Sequence, residues 1–304
     1  MTFELTILGS NSATPAYGRN QTSQVLNINE KLYLIDCGEG TQHQLLKYNI
    51  KSSRIKYIFI SHLHGDHYLG LIGLISSMHL IGRKEELTLF GPPELKEIID
   101  LHLRYSDTKL RYPLIFNAVQ PFEEQVILEN EDVSVRSFPL DHRIPCTGFR
   151  FDERPRLAKI NIQAVKAHAV PTECLSLLKQ GIDCVSDDGK VYKSSEFTYP
   201  PPSTRSYAFC SDTLDSGKYH DSIKGVSLLY HEATFLNDLL LRAAETYHTT
   251  ALQAGIIAEK VLAKKLLIGH FSARYRNLEP MVDECRSVFQ NSFLALEGTT
   301  YSID

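Results

Sequence analysis

The sequence predicts an α/β layered domain. Short β-rich runs alternate with helical stretches along most of the chain, the pattern that builds a sheet covered by helices. Nearly every β-run stops at polar, ligand-type residues, so the strand ends would meet at one functional edge. At 304 residues and 43% hydrophobic, the chain is long enough to bury a sizeable core without covalent staples.

The elements follow in order. Residues 1–9 read as a strand; the stretch lacks the cationic start of a signal peptide. Strand-like runs at 31–35, 57–60, 133–138, 207–210, 226–230 and 266–268 are short, apolar and β-branched or aromatic. They lead into Asp36-Cys37-Gly38, Ser61-His62, Asp141-His142, Ser211-Asp212, His231-Glu232 and Gly269-His270, respectively. Helices are expected at 41–48, 69–81, 93–103, 234–245, 250–264 and 279–289. The fifth is capped by Thr249 or Thr250. Residues 151–204 break the alternation. They carry Arg154-Pro155-Arg156, helical patches at 162–169 and 174–178, and Pro200-Pro201-Pro202. Between 143 and 168 stand six Lys or Arg (143, 150, 154, 156, 159, 166) against Asp152 and Glu153. This insert reads either as a projecting arm or as a surface subdomain with solvated charges.

Composition removes several classes. With 22% charged and 10% aromatic residues, the chain is neither disordered nor fibrous, and no apolar run approaches a membrane span. A net charge of -4 gives no global attraction to nucleic acid, so a polyanion would have to be met by local patches. Six cysteines at 37, 146, 174, 184, 210 and 285 form no Cys-x-x-Cys pair. They are read as reduced thiols of a cytosolic protein.

The strongest chemical signal is His62-Leu63-His64-Gly65-Asp66-His67. In an extended segment His62 and His64 point to the same side. Gly65 lets the chain turn, bringing Asp66 and His67 round at the start of a helix. Four ligand-type side chains in six residues suit two metal ions, because one tetrahedral ion would have no position left open. His142, Asp212 and His270, each just past a β-run, supply two further imidazoles and a carboxylate able to bridge. His43, His79, His102, His168 and His220 have no such placement and read as ordinary surface or helix histidines.

The His-x-His-x-Asp-His motif, followed by Leu69-Gly70-Leu71 and the later single ligands, resembles the metallo-β-lactamase superfamily. Leu8-Gly9-Ser10-Asn11-Ser12-Ala13-Thr14-Pro15 and Arg19-Asn20-Gln21 resemble the N-terminal glycine loop of the ribonuclease Z family. His231-Glu232-Ala233-Thr234, His248-Thr249-Thr250 and His270-Phe271-Ser272-Ala273-Arg274-Tyr275 resemble three further motifs of that family, with Thr249 where Ser is usual. The resemblance implies a four-layered αββα sandwich formed by residues 1–150 and 205–304, with 151–204 inserted as a tRNA-gripping arm. It implies one Zn2+ held by His62, His64 and His142, a second held by Asp66, His67 and His270, and Asp212 between them. It also implies a homodimer acting on precursor tRNA. At the arm tip, Ala169 to Leu175 replaces the family's glycine-proline core and introduces Glu173.

On this reading two metals about 3.5–4 Å apart would activate a water against the phosphodiester. Asp66 would also accept the water's proton. His248, oriented by Glu232, would protonate the leaving oxygen. Arg274 suits bidentate contact with a substrate phosphate, and Arg154, Arg156 and Lys159 at the arm base suit the RNA backbone. Asp36 would order the ligand loops. The alternatives are a small-molecule phosphodiesterase or arylsulfatase-like hydrolase on the same fold, which would not need 151–204, and a non-catalytic RNA-binding scaffold.

Overall fold

Phe3, Leu5 and Ile7 are buried while Glu4 and Thr6 between them are only partly covered, the two-residue period of a half-buried strand. The computed structural model describes residues 2–304 and places this strand, Phe3–Gly9, inside a seven-stranded sheet. Across that sheet the order is Thr300–Ser302, Phe3–Gly9, Ser23–Ile28, Lys31–Cys37, Ile55–Phe59, Leu87–Gly91 and Leu114–Ala118. A second seven-stranded sheet runs Ser292–Leu294, Leu266–Gly269, Leu228–Glu232, Ser206–Cys210, Cys146–Glu153, Val133–Leu140 and Gln125–Glu129.

The two sheets share an aromatic interior. Phe59 of the first sheet meets Phe149 and Phe151 of the second edge-on, at ring separations of 5.4 and 5.3 Å. Removing a ring of this kind typically costs about 3–5 kcal/mol. The outer face of the first sheet is covered by the helices Thr41–Lys47, Gly65–Leu80 and Glu94–Tyr105, through Leu45, Leu71, Leu74, Ile75, Met78 and Leu95. The outer face of the second is covered by Ala251–Lys260 and Glu279–Arg286, through Ala254, Ile257, Met281 and Val282. The layers are therefore α, β, β, α, as the motif resemblance implied.

Helix boundaries moved where side chains compete for backbone groups. The expected 69–81 helix starts four residues earlier, at Gly65. The expected 234–245 helix is a 3-10 turn at Asn237–Leu239 followed by Leu240–Glu245. The Glu232 carboxylate takes both the amide and the hydroxyl of Thr234, which keeps that stretch extended. Thr250 is the N-cap of the next helix, in a capping box with Gln253.

Contacts divide the chain into two units, one comprising residues up to Asp152 with Arg205–Asp304, the other Glu153–Thr204. Within the smaller unit, the helices Ile162–Ala167, Cys174–Lys179 and Ser194–Phe197 enclose a core of Val170, Cys174, Leu178, Cys184, Tyr192 and Phe197. Cys174 and Cys184 form a disulfide, which corrects the reading of all six cysteines as thiols; the remaining four are free and buried. Neither spacing nor motif marks this pair; the fold of the small unit brings the two residues together. Ala169 has φ 48, a left-handed conformation that glycine adopts most readily, and Glu173 is exposed.

Candidate metal centre

The ligand-bearing residues sit where parallel strands end. Ile55–Phe59 leads to His62 and His64, Ser206–Cys210 to Asp212, and Leu266–Gly269 to His270; the antiparallel Val133–Leu140 leads to His142. Asp66 and His67 lie in the first turn of the helix beginning at Gly65, for which His64 is the N-cap residue.

These seven side chains converge. His62, His64, His142 and Asp212 form one group and Asp66, His67 and His270 another. His64 Nδ1 lies 3.0 Å from His62 Nε2 and 3.1 Å from His142 Nε2. The two carboxylate oxygens of Asp212 divide between the groups. Its Oδ2 is 3.7 Å from both His62 Nε2 and His142 Nε2, whereas its Oδ1 is 3.3 Å from His67 Nε2 and 3.1 Å from His270 Nε2. Asp66 Oδ2 completes the second group, 3.5 Å from His67 Nε2 and 3.3 Å from His270 Nε2.

The donor set fits divalent ions. Ligand atoms on a tetrahedron with bonds of about 2.0–2.1 Å stand roughly 3.3 Å apart, close to the spacings here. His67 Nε2 and Asp212 Oδ1 are buried without hydrogen-bond partners, which is costly unless another charge is meant to satisfy them. Burial holds His62 well below the usual imidazole range, and burial with the neighbouring His142 brings His64 down to about 4, so both favour the neutral, ligating form. Burial alone would raise the Asp212 carboxyl, but His270 and His67 outweigh it and keep the group ionised.

A surrounding layer fixes each ligand. His67 Nδ1 donates to Asp36 Oδ2 at 2.6 Å, and Asp36 also accepts from the amide and hydroxyl of Ser61 at 2.8 and 2.9 Å. His142 Nδ1 donates to the Tyr247 carbonyl at 3.0 Å, and His270 Nδ1 meets Thr234 Oγ1 at 2.9 Å. These contacts leave the Nε2 atoms facing inward. Asp66 Oδ2 accepts the Ala13 amide at 2.7 Å. That amide belongs to the loop after Gly9, where a Cβ would collide with the Gln21 carbonyl oxygen at 1.7 Å. The same loop is clamped by Glu297, which accepts from Ser10 N, Asn20 N, Asn20 Nδ2 and Gln44 Nε2.

Beside the ligands, His248 Nδ1 bonds Glu232 Oε1 at 2.8 Å. Glu232 is fully buried and also accepts from Thr213 N at 3.0 Å and Thr234 N at 3.1 Å. Burial lowers the His248 imidazole, but the Glu232 charge more than offsets this and pushes it up to about 9. Thr249 is accommodated by a 2.6 Å bond from its hydroxyl to the Thr213 carbonyl.

A cavity of about 500 Å3 opens over the centre, and Arg274, Arg143, Arg242, Phe235 and His248 line it. Arg154, Arg156 and Lys159 do not line this cavity; they belong to the smaller unit, and Arg156 is ion-paired with Glu153. His220, read as ordinary, is buried and bonds Asp215 at 2.9 Å. Sequence reading gave no role to Thr234, Ala13 or Arg143. Thr234 stood inside a quoted motif and Arg143 beside a ligand, but a main-chain donor such as Ala13 leaves no residue-type signal.

Residues 3–159 match the family model described as Anti-Pycsar protein Apyc1, a stretch that includes His62 to His67 and His142 but ends before Asp212. A ribonuclease Z of Cytophaga hutchinsonii is 47% identical over 304 residues, covering 100% of this chain and 97% of that protein. The crystal structure of human tRNase Z, short form, superposes with a TM-score of 0.73 at 26% identity, covering 99% of each chain. The metallo-β-lactamase fold protein YhfI from Bacillus subtilis superposes with a TM-score of 0.70 at 17% identity, covering 99% of this chain and 100% of that one, which bears on the fold alone. Similar in sequence from end to end to a ribonuclease Z, and with two His/Asp groups able to hold metal ions, the chain belongs to the ribonuclease Z family of the metallo-β-lactamase fold.

Proposed function

We propose that this chain is a divalent-metal endoribonuclease that removes the 3′ trailer from precursor tRNA. The cut leaves a 3′-hydroxyl on the tRNA and a 5′-phosphate on the trailer. The observation that carries the reading is the His248–Glu232 pair at 2.8 Å beside two His/Asp groups, with one Asp212 oxygen turned to each. An acid placed next to a metal centre suits a leaving group that needs a proton.

His62, His64, His142 and Asp212 would hold one Zn2+, and Asp66, His67, His270 and Asp212 a second. When bound, such ions supply Lewis-acid polarisation of the phosphoryl group and acidify a water. The chain's own groups do the rest. Asp66, whose Oδ2 faces the second group at 3.5 Å from His67 Nε2 and 3.3 Å from His270 Nε2, accepts the attacking water's proton in this reading. As the bond from phosphorus to the tRNA 3′-oxygen breaks, His248 gives its proton to that oxygen while Glu232 stabilises the charged imidazole. Arg274 grips a substrate phosphate from the cavity wall.

Residues 151–204 act in this reading as the tRNA-binding arm, through Arg154, Arg156 and Lys159. Arg156 is the weakest of the three, since Glu153 already takes its charge. The chain works as a homodimer. Supporting this, Leu46, Leu80 and Ile81 are exposed around an apolar groove of about 630 Å3 on the outer helices, a surface a second copy would cover. In this reading the enzyme acts in the cytoplasm, where precursor tRNA would be met. Among the described residues no helix is long and apolar enough to cross a membrane.

The deciding experiment incubates zinc-loaded protein with a 3′-extended precursor tRNA and, separately, with bis(p-nitrophenyl) phosphate. Cleavage of the precursor at the base of the trailer is expected. Turnover of the small diester without precursor cleavage would make the chain a small-molecule phosphodiesterase. Inactivity on both, with under about 0.2 metal per chain against the two expected for a full set of ligands, would leave an RNA-binding scaffold.

A further inference from the structure

We propose that Arg143 and the Nε2–H of His64 form a phosphate subsite at the edge of the metal centre, which holds the nucleotide phosphate adjacent to the one being cut. The proposal rests on the metal-ligand reading of His64 and deepens the nuclease reading.

The argument begins with the His64 ring. Its Nδ1 is the atom turned towards the ligand group, 3.0 Å from His62 Nε2 and 3.1 Å from His142 Nε2. A neutral imidazole that ligates through Nδ1 carries its proton on Nε2. That Nε2 lies 3.3 Å from an Arg143 Nη2, and a guanidinium only donates. Two donors brought this close cannot satisfy each other. What satisfies both is one acceptor with several lone pairs and negative charge, which a phosphate oxygen provides.

Arg143 is also free for such a ligand. Other arginines are neutralised within the fold: Arg136 pairs with Glu124 at 2.7 Å, Arg150 with Asp152 at 2.9 Å, and Arg242, which lines the same cavity, with Glu245 at 3.3 Å. Among the described residues no carboxylate lies within ion-pair distance of Arg143, whose side chain lines the cavity over the metal centre.

The position selects which phosphate is held. Nε2 is on the ring edge away from the ligand atom, so an anion there lies outside the ligand group. It therefore meets a neighbouring phosphate and not the one undergoing attack. Arg143 follows the ligand His142, and Arg274 follows the ligand His270 on another strand. The two arginines thus approach the cavity from different ligand groups, as a strand passing across the centre requires. The subsite reads backbone charge and carries no base specificity.

The test compares wild type, Arg143→Ala and Arg143→Lys, all zinc-loaded. Steady-state rates are measured on the precursor and on bis(p-nitrophenyl) phosphate, which has a single phosphate. Binding is measured by fluorescence anisotropy on a precursor whose cleaved linkage is a methylphosphonate, across a salt series. Arg143→Ala is expected to raise the precursor KM and the analogue Kd about tenfold, with kcat changed less than about twofold. The KM change on the single-phosphate diester should be much the smaller, and metal content should match wild type. The slope of log Kd against log salt should fall by about 0.7–0.9, one phosphate contact. Arg143→Lys should restore the slope but only part of the affinity, because an ammonium lacks the fork. An equal loss on both substrates, or an unchanged Kd and salt slope, overturns the subsite. If wild type binds the analogue but does not cut the precursor, the nuclease reading fails; the Arg143 dependence of Kd still decides the subsite.

Discussion

The metal centre and the small unit at Glu153–Thr204 are stabilised by opposite means. Each centre side chain is held by a partner within a large body: Asp36 by Ser61 and His67, Glu232 by Thr213 and Thr234, Asp66 by Ala13. The small unit has a core of only a few buried side chains and adds the Cys174–Cys184 disulfide. A body of two sheets can bury many polar groups because its core offsets their desolvation; the small unit buries few, Glu153 and Ser194 among them, and adds a covalent link. Chemistry belongs to the first region, and the second is suited to presenting a surface.

The contrast can be broken most severely at a ligand. His64→Ala removes an imidazole whose Nδ1 meets two other ligand atoms. Activity should vanish and bound metal should fall, checked by turnover and elemental analysis; full occupancy with normal turnover would remove His64 from the centre.

Next in size is His248→Ala. The variant should keep its metal and slow precursor cleavage by about 10² or more. The loss should shrink on bis(p-nitrophenyl) phosphate, whose leaving oxygen needs no proton. Equal losses on both substrates would mark His248 as structural.

Deleting most of 154–200 should act on binding, with the precursor KM rising about tenfold or more and small-diester turnover changing little. The salt dependence of RNA binding should flatten, since phosphate contacts are lost together. An unchanged KM at moderate salt would make this unit a bystander.

The smallest effect is expected from replacing Cys174 and Cys184 together by Ser. With a sequence separation of 10, the closed loop contributes about 2–3 kcal/mol on a chain-entropy estimate. Amide hydrogen exchange should quicken within 153–204 and stay unchanged around Asp36 and Glu232. Equal quickening in both regions would show that the two do not open independently.

The centre was legible where ligand types cluster in sequence, as in His62 to His67, or stand just past an apolar run, as Asp212 and His270 do. The fold was less so. The strands Ser23–Ile28, Leu87–Gly91, Leu114–Ala118, Gln125–Glu129 and Cys146–Glu153 were not singled out. Several alternate buried and exposed residues weakly, and their identity comes from the neighbours they pair with. The 234–245 helix was misplaced because a carboxylate two residues upstream captured the groups of Thr234. Arg143 was legible only as charge, since its meaning depends on which nitrogen of His64 faces inward.

The Glu297 clamp has a temporal consequence. It fastens the loop that presents the Ala13 amide to Asp66, while the ligands themselves stretch from His62 to His270. The strand Phe3–Gly9 likewise waits for Thr300–Ser302 to pair along its free edge. Such long-range closure cannot be completed until the distant partner segment has been made. A polypeptide still emerging from the ribosome, with His142 already outside, holds four of the five imidazoles of the two groups but neither Asp212 nor His270. The centre is assembled only after the segment carrying His270 and Glu297 has been made, so a copy that stops short of it holds an incomplete set of ion-holding side chains.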